Sequence, residues 1–284
     1  MSEVTQSVVV TGASSGIGEA TALYLDELGF RVFAGVRRES DGEGLSSRAS
    51  ERLTPVRLDV TDEVSIAAAA DLVARETSGR LHGLVNNAGL SVNGPLELVP
   101  PDQVRQLMEV NVIGLIAVTR AFLPLVRAAR GRIVNISSGH GLLAIPDKSA
   151  YAASKFAVQA ISDALRVELR PFGVHVSCLA VGKVETAVLG KIVAEREAMV
   201  RDSEPEIVEL YRPLIEFFDR EVKDLPGIAP VEVGKVVAGT LTAAEPKAHT
   251  QVGPGARKMK NLARLPVGLR DWMLAKALYS KRPA

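Results

Sequence analysis

Apolar residues recur along the chain in two alternating patterns. Short runs rich in β-branched residues lie at 7–11 (SVVVT), 31–36 (RVFAGV), 55–58 (PVRL), 83–86 (GLVN), 132–136 (RIVNI) and 174–179 (VHVSCL). Longer Ala/Leu-rich stretches with helical periodicity fill the gaps at 16–28, 63–78, 101–128 and 149–171. The short runs are almost continuously apolar, as strands of a parallel sheet are when helices cover both faces. Strand–helix alternation of this kind predicts a doubly wound α/β fold, a parallel sheet in the middle of three layers.

After Leu179 the rhythm changes. Residues 187–225 form a charged, helical insert, a further helical pattern covers 230–244, and a last strand is expected at 248–252. No linker is long enough to separate a second domain. The chain therefore reads as one domain, 1–256, that includes the insert, followed by a basic helical tail over 257–284.

With 284 residues, 47% of them hydrophobic and 24% charged, and a mean hydropathy of +0.15, the chain can bury a full core without staples. A single cysteine, Cys178, excludes an internal disulfide and a cysteine-based zinc cluster, and the four histidines suggest no metal site. No signal-peptide pattern is visible, and apolar runs such as "VIGLIAV" are too short to span a bilayer, so a cytoplasmic protein is expected. The net charge of +1 gives no reason to expect nucleic acid, but its distribution is uneven. Between Glu185 and Pro226 there are eleven acids and six bases, whereas from Arg257 onward eight Lys/Arg face one acid. The tail suits an anionic membrane surface or packing on the protein or a partner subunit, and packing is favoured.

The first strand runs into "TGASSGIG", which places Gly12, Gly16 and Gly18 at a strand-to-helix turn. Glycines there permit a tight turn and close approach of a pyrophosphate, which the free N–H groups of the next helix would receive. A dinucleotide is the expected cofactor. At the end of the second strand, "VFAGVRRES", Val36 stands where an acid would bind a ribose hydroxyl, and Arg37 and Arg38 follow. Guanidinium groups suit a 2′-phosphate, so NADP is preferred and NAD stays open. Two solvated surface arginines are the bland alternative.

"AYAASKFAV" puts Tyr151 and Lys155 four residues apart, on one face of a helix. Ser137 and Ser138 end the strand before it. Taken with "NNAG" at residues 86–89 and with Asn111, the glycine turn and "YAASK" resemble the short-chain dehydrogenase/reductase superfamily in order and spacing. The likeness is good over residues 5–186 and looser beyond. It implies a Rossmann fold and an alcohol–ketone oxidoreductase. It further implies that Asn111, Ser138, Tyr151 and Lys155 form the catalytic set, with Ser138 preferred over Ser137 by its interval to Tyr151. Cofactor contacts would come from Gly12, Ser14, Ser15, Gly16, Ile17, Gly18, Arg37, Arg38, Asp59, Val60, Asn87, Ala88, Gly89, Tyr151, Lys155, Val184 and Thr186. Asp59 reads equally as part of a capping segment, "DVTDE".

The residue types fit the chemistry. A phenol is a poor base at neutral pH, with a pKa of about 10, and the ammonium of Lys155 together with a cationic nicotinamide would lower it. By the resemblance, Lys155 also holds the nicotinamide ribose, Ser138 bonds the substrate oxygen, and the Asn111 carbonyl holds a water linking Lys155 to solvent. His140 is expected to line the substrate entrance or to face solvent. One departure from the family pattern is "LAVGKVET", where Val181 replaces a customary proline and Gly182, Val184 and Thr186 remain.

The insert lies where the family forms its substrate lid. Leu189, Ile192, Val193, Leu210, Tyr211, Leu214, Phe217 and Phe218 are its candidate pocket residues. Layout and tail resemble the retinol and hydroxysteroid dehydrogenase branch, which implies a lipophilic alcohol or ketone and a homodimer or homotetramer. A 3-oxoacyl thioester reductase is disfavoured by the acidic insert and the long tail. A non-catalytic NADP-binding sensor and an epimerase of the extended branch are the remaining alternatives.

Overall fold

The protein is described by a computed structural model covering residues 6–186, 188–224 and 227–279. Residues 187, 225 and 226 of the insert, 280–284 of the tail and the Leu189 side chain lie outside the described part. In chain order, β1 (Ser7–Val10), α1 (Gly16–Glu27), β2 (Arg31–Val36), α2 (Glu39–Ser46), β3 (Leu53–Arg57), α3 (Glu63–Glu76) and β4 (Gly83–Asn86) make the first half. Next come α4 (Pro101–Met108), a π-helical turn (Glu109–Gly114), α5 (Leu115–Ala129), β5 (Arg132–Ser138), α6 (Ser149–Glu168) and β6 (His175–Val181). The chain continues through α7 (Val188–Asp202), α8 (Pro205–Asp224), α9 (Pro230–Thr242), β7 (His249–Val252), α10 (Pro254–Ala263) and α11 (Val267–Tyr279).

The seven strands form one parallel sheet in the order β3-β2-β1-β4-β5-β6-β7. Alternation along β1 shows why its sequence is apolar throughout. Val8 and Val10 face the layer that holds Leu25, Val233 and Val237, while Val9 faces the layer that holds Phe122 and Val126. The chain runs from β1 to one side of the sheet and from β4 to the other. A crevice therefore opens between their carboxyl ends, the place where such sheets bind ligands.

Four local differences from the expected pattern have physical causes. β3 begins two residues early and contains Pro55, which is tolerated because β3 is an edge strand. The segment "ESDGEGLS" has poor helix propensity, yet it forms α2, with Arg38 paired to Asp41 in its first turn. Asn111 lies in a π-turn rather than in a regular helix. The continuous helix Pro101–Ala129 is long and apolar enough to cross a membrane, which the short apolar runs did not suggest. Its inward residues Leu115, Val118, Phe122 and Val126 are buried in the protein.

Candidate active site

Each of the four segments singled out in the sequence arrives at the crevice on a different element, and hydrogen bonds join them. Thr11, at the end of β1, is the hinge pin. Its Oγ1 accepts from the backbone N–H groups of Asn87 and Ala88, both at 3.0 Å, and donates to Val85 O at 3.4 Å. The Asn87 amide returns the contact by donating to Thr11 O (3.0 Å) and Gly12 O (3.1 Å). Gly12 has φ +64°, and a Cβ there would meet Ala88 Cα at 2.8 Å, so the turn and the "NNAG" segment touch backbone to backbone. A Cβ on Gly18 would overlap the oxygen of Gly12.

Ser14 and Ser15 lead into α1. Ser15 is its extended N-cap and makes no side-chain cap bond, which leaves the first N–H groups of the helix to a ligand. Gly16 packs on Thr186, which brings the segment after β6 over the turn. Ile17 packs against the core from the first turn of α1.

The arginine pair divides. Arg38 caps α2 and binds Asp41 through two bonds, at 3.1 and 3.2 Å. Arg37 is exposed and has no hydrogen-bond or ion-pair partner among the described residues. Asp59 accepts from Thr61 N and Oγ1 at 2.9 and 2.8 Å, whereas the cap of α3 is Asp62. The capping alternative for Asp59 is thereby corrected. Val60 is buried beside it.

At the end of β5 the two serines face opposite ways. Ser137 Oγ donates to Lys155 O (3.1 Å) and so holds α6 to the sheet. Ser138 lies beside Tyr151, and its Oγ accepts from His140 N (3.2 Å). Burial raises the Tyr151 pKa, and the Ser138 hydroxyl beside it opposes that rise. Lys155 was expected to lower it. Its Nζ lies 5.9 Å from the Tyr151 ring centroid and donates to Ile136 O at 3.1 Å. Burial also brings Lys155 down from 10.5 to about 8.

Asn111 is clamped by its side chain: Oδ1 accepts from Leu90 N (2.7 Å), and Nδ2 donates to Leu90 O and Ser154 Oγ, both at 3.0 Å. Ser154 Oγ in turn donates to Tyr151 O (2.8 Å). A second buried network, Asn86–Asn135–Ser162 with Thr119, fastens β4 and β5 to α5 and α6. Sequence reading missed Thr11, Ser154 and this network, although asparagines inside apolar strands were a visible signal. His140 packs edge-on against Tyr151, with centroids 5.8 Å apart, and burial and Lys148 push it down to about 4. It is thus a neutral wall of the site.

Val181 continues β6 in register with Ser138 and Val252, where a proline would lack the N–H of a sheet residue. Val184 bridges to Ile228 and packs in the core, and Thr186 reaches Gly16 of the glycine turn.

A model described as short chain dehydrogenase matches residues 6–197. The chain belongs to the short-chain dehydrogenase family. It is an oxidoreductase of that family with a Rossmann-type fold. Among its relatives, human "Dehydrogenase/reductase SDR family member 9" is 35% identical over 95% of this chain and 87% of that protein. Human "Retinol dehydrogenase 16" is 43% identical over 72% of this chain and 65% of that protein, in keeping with the retinol dehydrogenase branch. A short chain dehydrogenase from Burkholderia cenocepacia J2315, solved in complex with NADP, superposes with a TM-score of 0.72 at 27% identity, covering 99% and 100% of the two chains.

Does this site suit the nicotinamide cofactor of its family? Lys155 is a buried ammonium whose one hydrogen bond among the described residues goes to Ile136 O. Its remaining protons fit a ribose diol. Gly89 keeps the space in front of it open, since a Cβ there would lie 3.5 Å from Lys155 Nζ and 3.3 Å from Asn111 Oδ1. These residues fit the group.

The insert, expected to act as the substrate lid, forms two helices, α7 and α8, with Met199 packed on Leu98 and Val99. Leu214 and Phe218 of α8 are buried, whereas Leu210 is 73% exposed. The tail divides as well. Ala256 of α10 is fully buried, and Met259 lies against Gly139 beside Ser138. α11 rests on α8 and leaves Trp272 and Met273 exposed.

Proposed function

We propose that the protein interconverts a lipophilic secondary alcohol and its ketone, using NADP(H) in preference to NAD(H). The observation that carries this reading is the meeting of Ser138, Tyr151 and Lys155 in one crevice with the glycine turn. The cofactor supplies or accepts the hydride. Arg37 would take its 2′-phosphate, the turn from Gly12 to Gly18 its pyrophosphate, and Lys155 its nicotinamide ribose. In the reducing direction Tyr151 Oη gives its proton to the substrate oxygen. Ser138 Oγ donates a hydrogen bond to that oxygen as its charge grows. The Lys155 ammonium favours the phenolate left behind.

NADP is supported by the unpaired Arg37, by Val36 in place of an acid, and by the neighbour that binds NADP. A lipophilic substrate is supported by Leu214 and Phe218, the buried apolar residues of α8, and by the names of the relatives. The acidic insert speaks against acyl-carrier thioesters. Assembly into a homo-oligomer would use the exposed Ile113 and Phe156 on the long helices.

The test is a screen of ketones of graded size, followed by absorbance of NADPH. Tyr151→Phe is expected to abolish turnover while NADPH binding survives. Most activity surviving in that variant would remove Tyr151 as the proton donor.

A further inference from the structure

Arg196, on α7 of the lid, is only 8% exposed. Its Nη1 pairs with Asp147 Oδ1, its Nε lies 3.1 Å from Asp219 Oδ1 of α8, and its Nη2 donates to Ile215 O of α8 at 3.4 Å. One guanidinium thus joins both lid helices to the loop that enters α6. Its partner Asp147 has a fully buried carboxylate. The backbone there has φ +69°, and its carbonyl accepts from Gly94 N at 2.9 Å. The second oxygen of Asp147 faces Lys148 Nζ at 3.4 Å, and that ammonium lies 5.8 Å from the Phe218 ring centroid on α8. Two cations and two carboxylates therefore balance one another where lid and catalytic loop meet.

Apolar contact already holds the lid, through Met199 against Leu98 and Val99. A buried ion pair is a poor source of net cohesion, because desolvation offsets the attraction, but its geometry is strict and breaking it strands a charge. Asp147 lies four residues before Tyr151, and α6 begins at Ser149. Any movement of Asp147 therefore passes into the first turn of α6, which sets the phenol against Ser138.

We infer that Arg196 is a positioning residue: its pair with Asp147 latches α7 and α8 onto the start of α6, so that seating the lid and placing Tyr151 are one event. The kinetic part rests on the reading of Tyr151 as proton donor, whereas the latch itself does not.

The experiment compares wild type, Arg196→Met and the double variant Asp147→Asn/Arg196→Met, which removes both partners of the pair and leaves Lys148 without its carboxylate. Backbone hydrogen exchange is measured over residues 149–153 and across α7 and α8, with NADPH affinity by fluorescence and turnover of a ketone found in the screen. Both variants should exchange faster at residues 149–153. Both should lose roughly ten- to a hundredfold in kcat, the scale expected for misplacing a catalytic group by about 1 Å. NADPH affinity should stay within about twofold of wild type. The double variant should recover part of the melting temperature lost in Arg196→Met without regaining kcat, which a merely structural ion pair would not do. Wild-type exchange at residues 149–153 in both variants overturns the latch. A double variant with wild-type kcat overturns the positioning role. A wild type that turns over no ketone refutes the function proposed above, and the exchange measurement then decides the latch alone.

Discussion

Replacing Thr11 by valine tests whether the glycine turn and the "NNAG" segment are one structural unit. The two side chains are nearly equal in shape, so no cavity opens. The change removes the oxygen that accepts from Asn87 N and Ala88 N and that donates to Val85 O. A buried donor left without a partner costs about 1–3 kcal/mol. Asn87 and Ala88 are half-buried, so water recovers some of that cost and the lower end applies. Two stranded donors then amount to about 2–3 kcal/mol. Unfolding entropy of about 2.1 cal/mol/K per residue makes each kcal/mol worth about 2 °C in a chain of this length, so Tm should fall by about 3–5 °C. Thr11→Ser keeps the oxygen and loses one methyl, a cost of about 1 kcal/mol. Calorimetry of the three proteins, with and without NADPH, measures both. A valine variant as stable as wild type, or a serine variant as damaged as the valine one, would refute the clasp.

Arg37→Asp should weaken NADPH by roughly 10–100-fold, the loss of one charge-assisted contact of about 1.5–3 kcal/mol, and leave NADH little changed. Arg38→Asp should do less, because Arg38 is committed to Asp41; fluorescence titration with both cofactors separates the two, and equal losses would sink the assignment. Lys155 predicts a pH effect on stability. Burial lowers its folded-state pKa from 10.5 to about 8, so at neutral pH the folded protein bears the full cost of a buried ammonium. As pH rises from about 8 toward 10.5 the unfolded chain holds more protons and stability increases. Measured against Lys155→Met by urea denaturation, wild type should gain about 2 kcal/mol between about pH 7.5 and pH 9.5. A constant difference between the two proteins would show that the lysine is not buried as a cation.

The order of strands and helices was legible in the sequence because periodicity and strand–helix alternation are local properties. β2 and β4 keep their predicted bounds, and the elements misread were those whose local signal is weak, such as α2 with its two glycines. The motif residues were legible for a related reason: a phenol and an ammonium four apart on a helix share a face whatever surrounds them. Three matters belonged to the tertiary structure. Adjacent strand residues always point to opposite faces, but only the packing of α6 shows that Ser137 is spent on Lys155 O while Ser138 meets Tyr151. The arginines of "VRRES" look alike until Asp41 takes one of them. The titration of Tyr151 and Lys155 follows from desolvation, a property of everything packed around them. Spacing along the chain puts the ammonium near the phenol; burial, which arises only when distant segments close over both, raises the tyrosine and lowers the lysine.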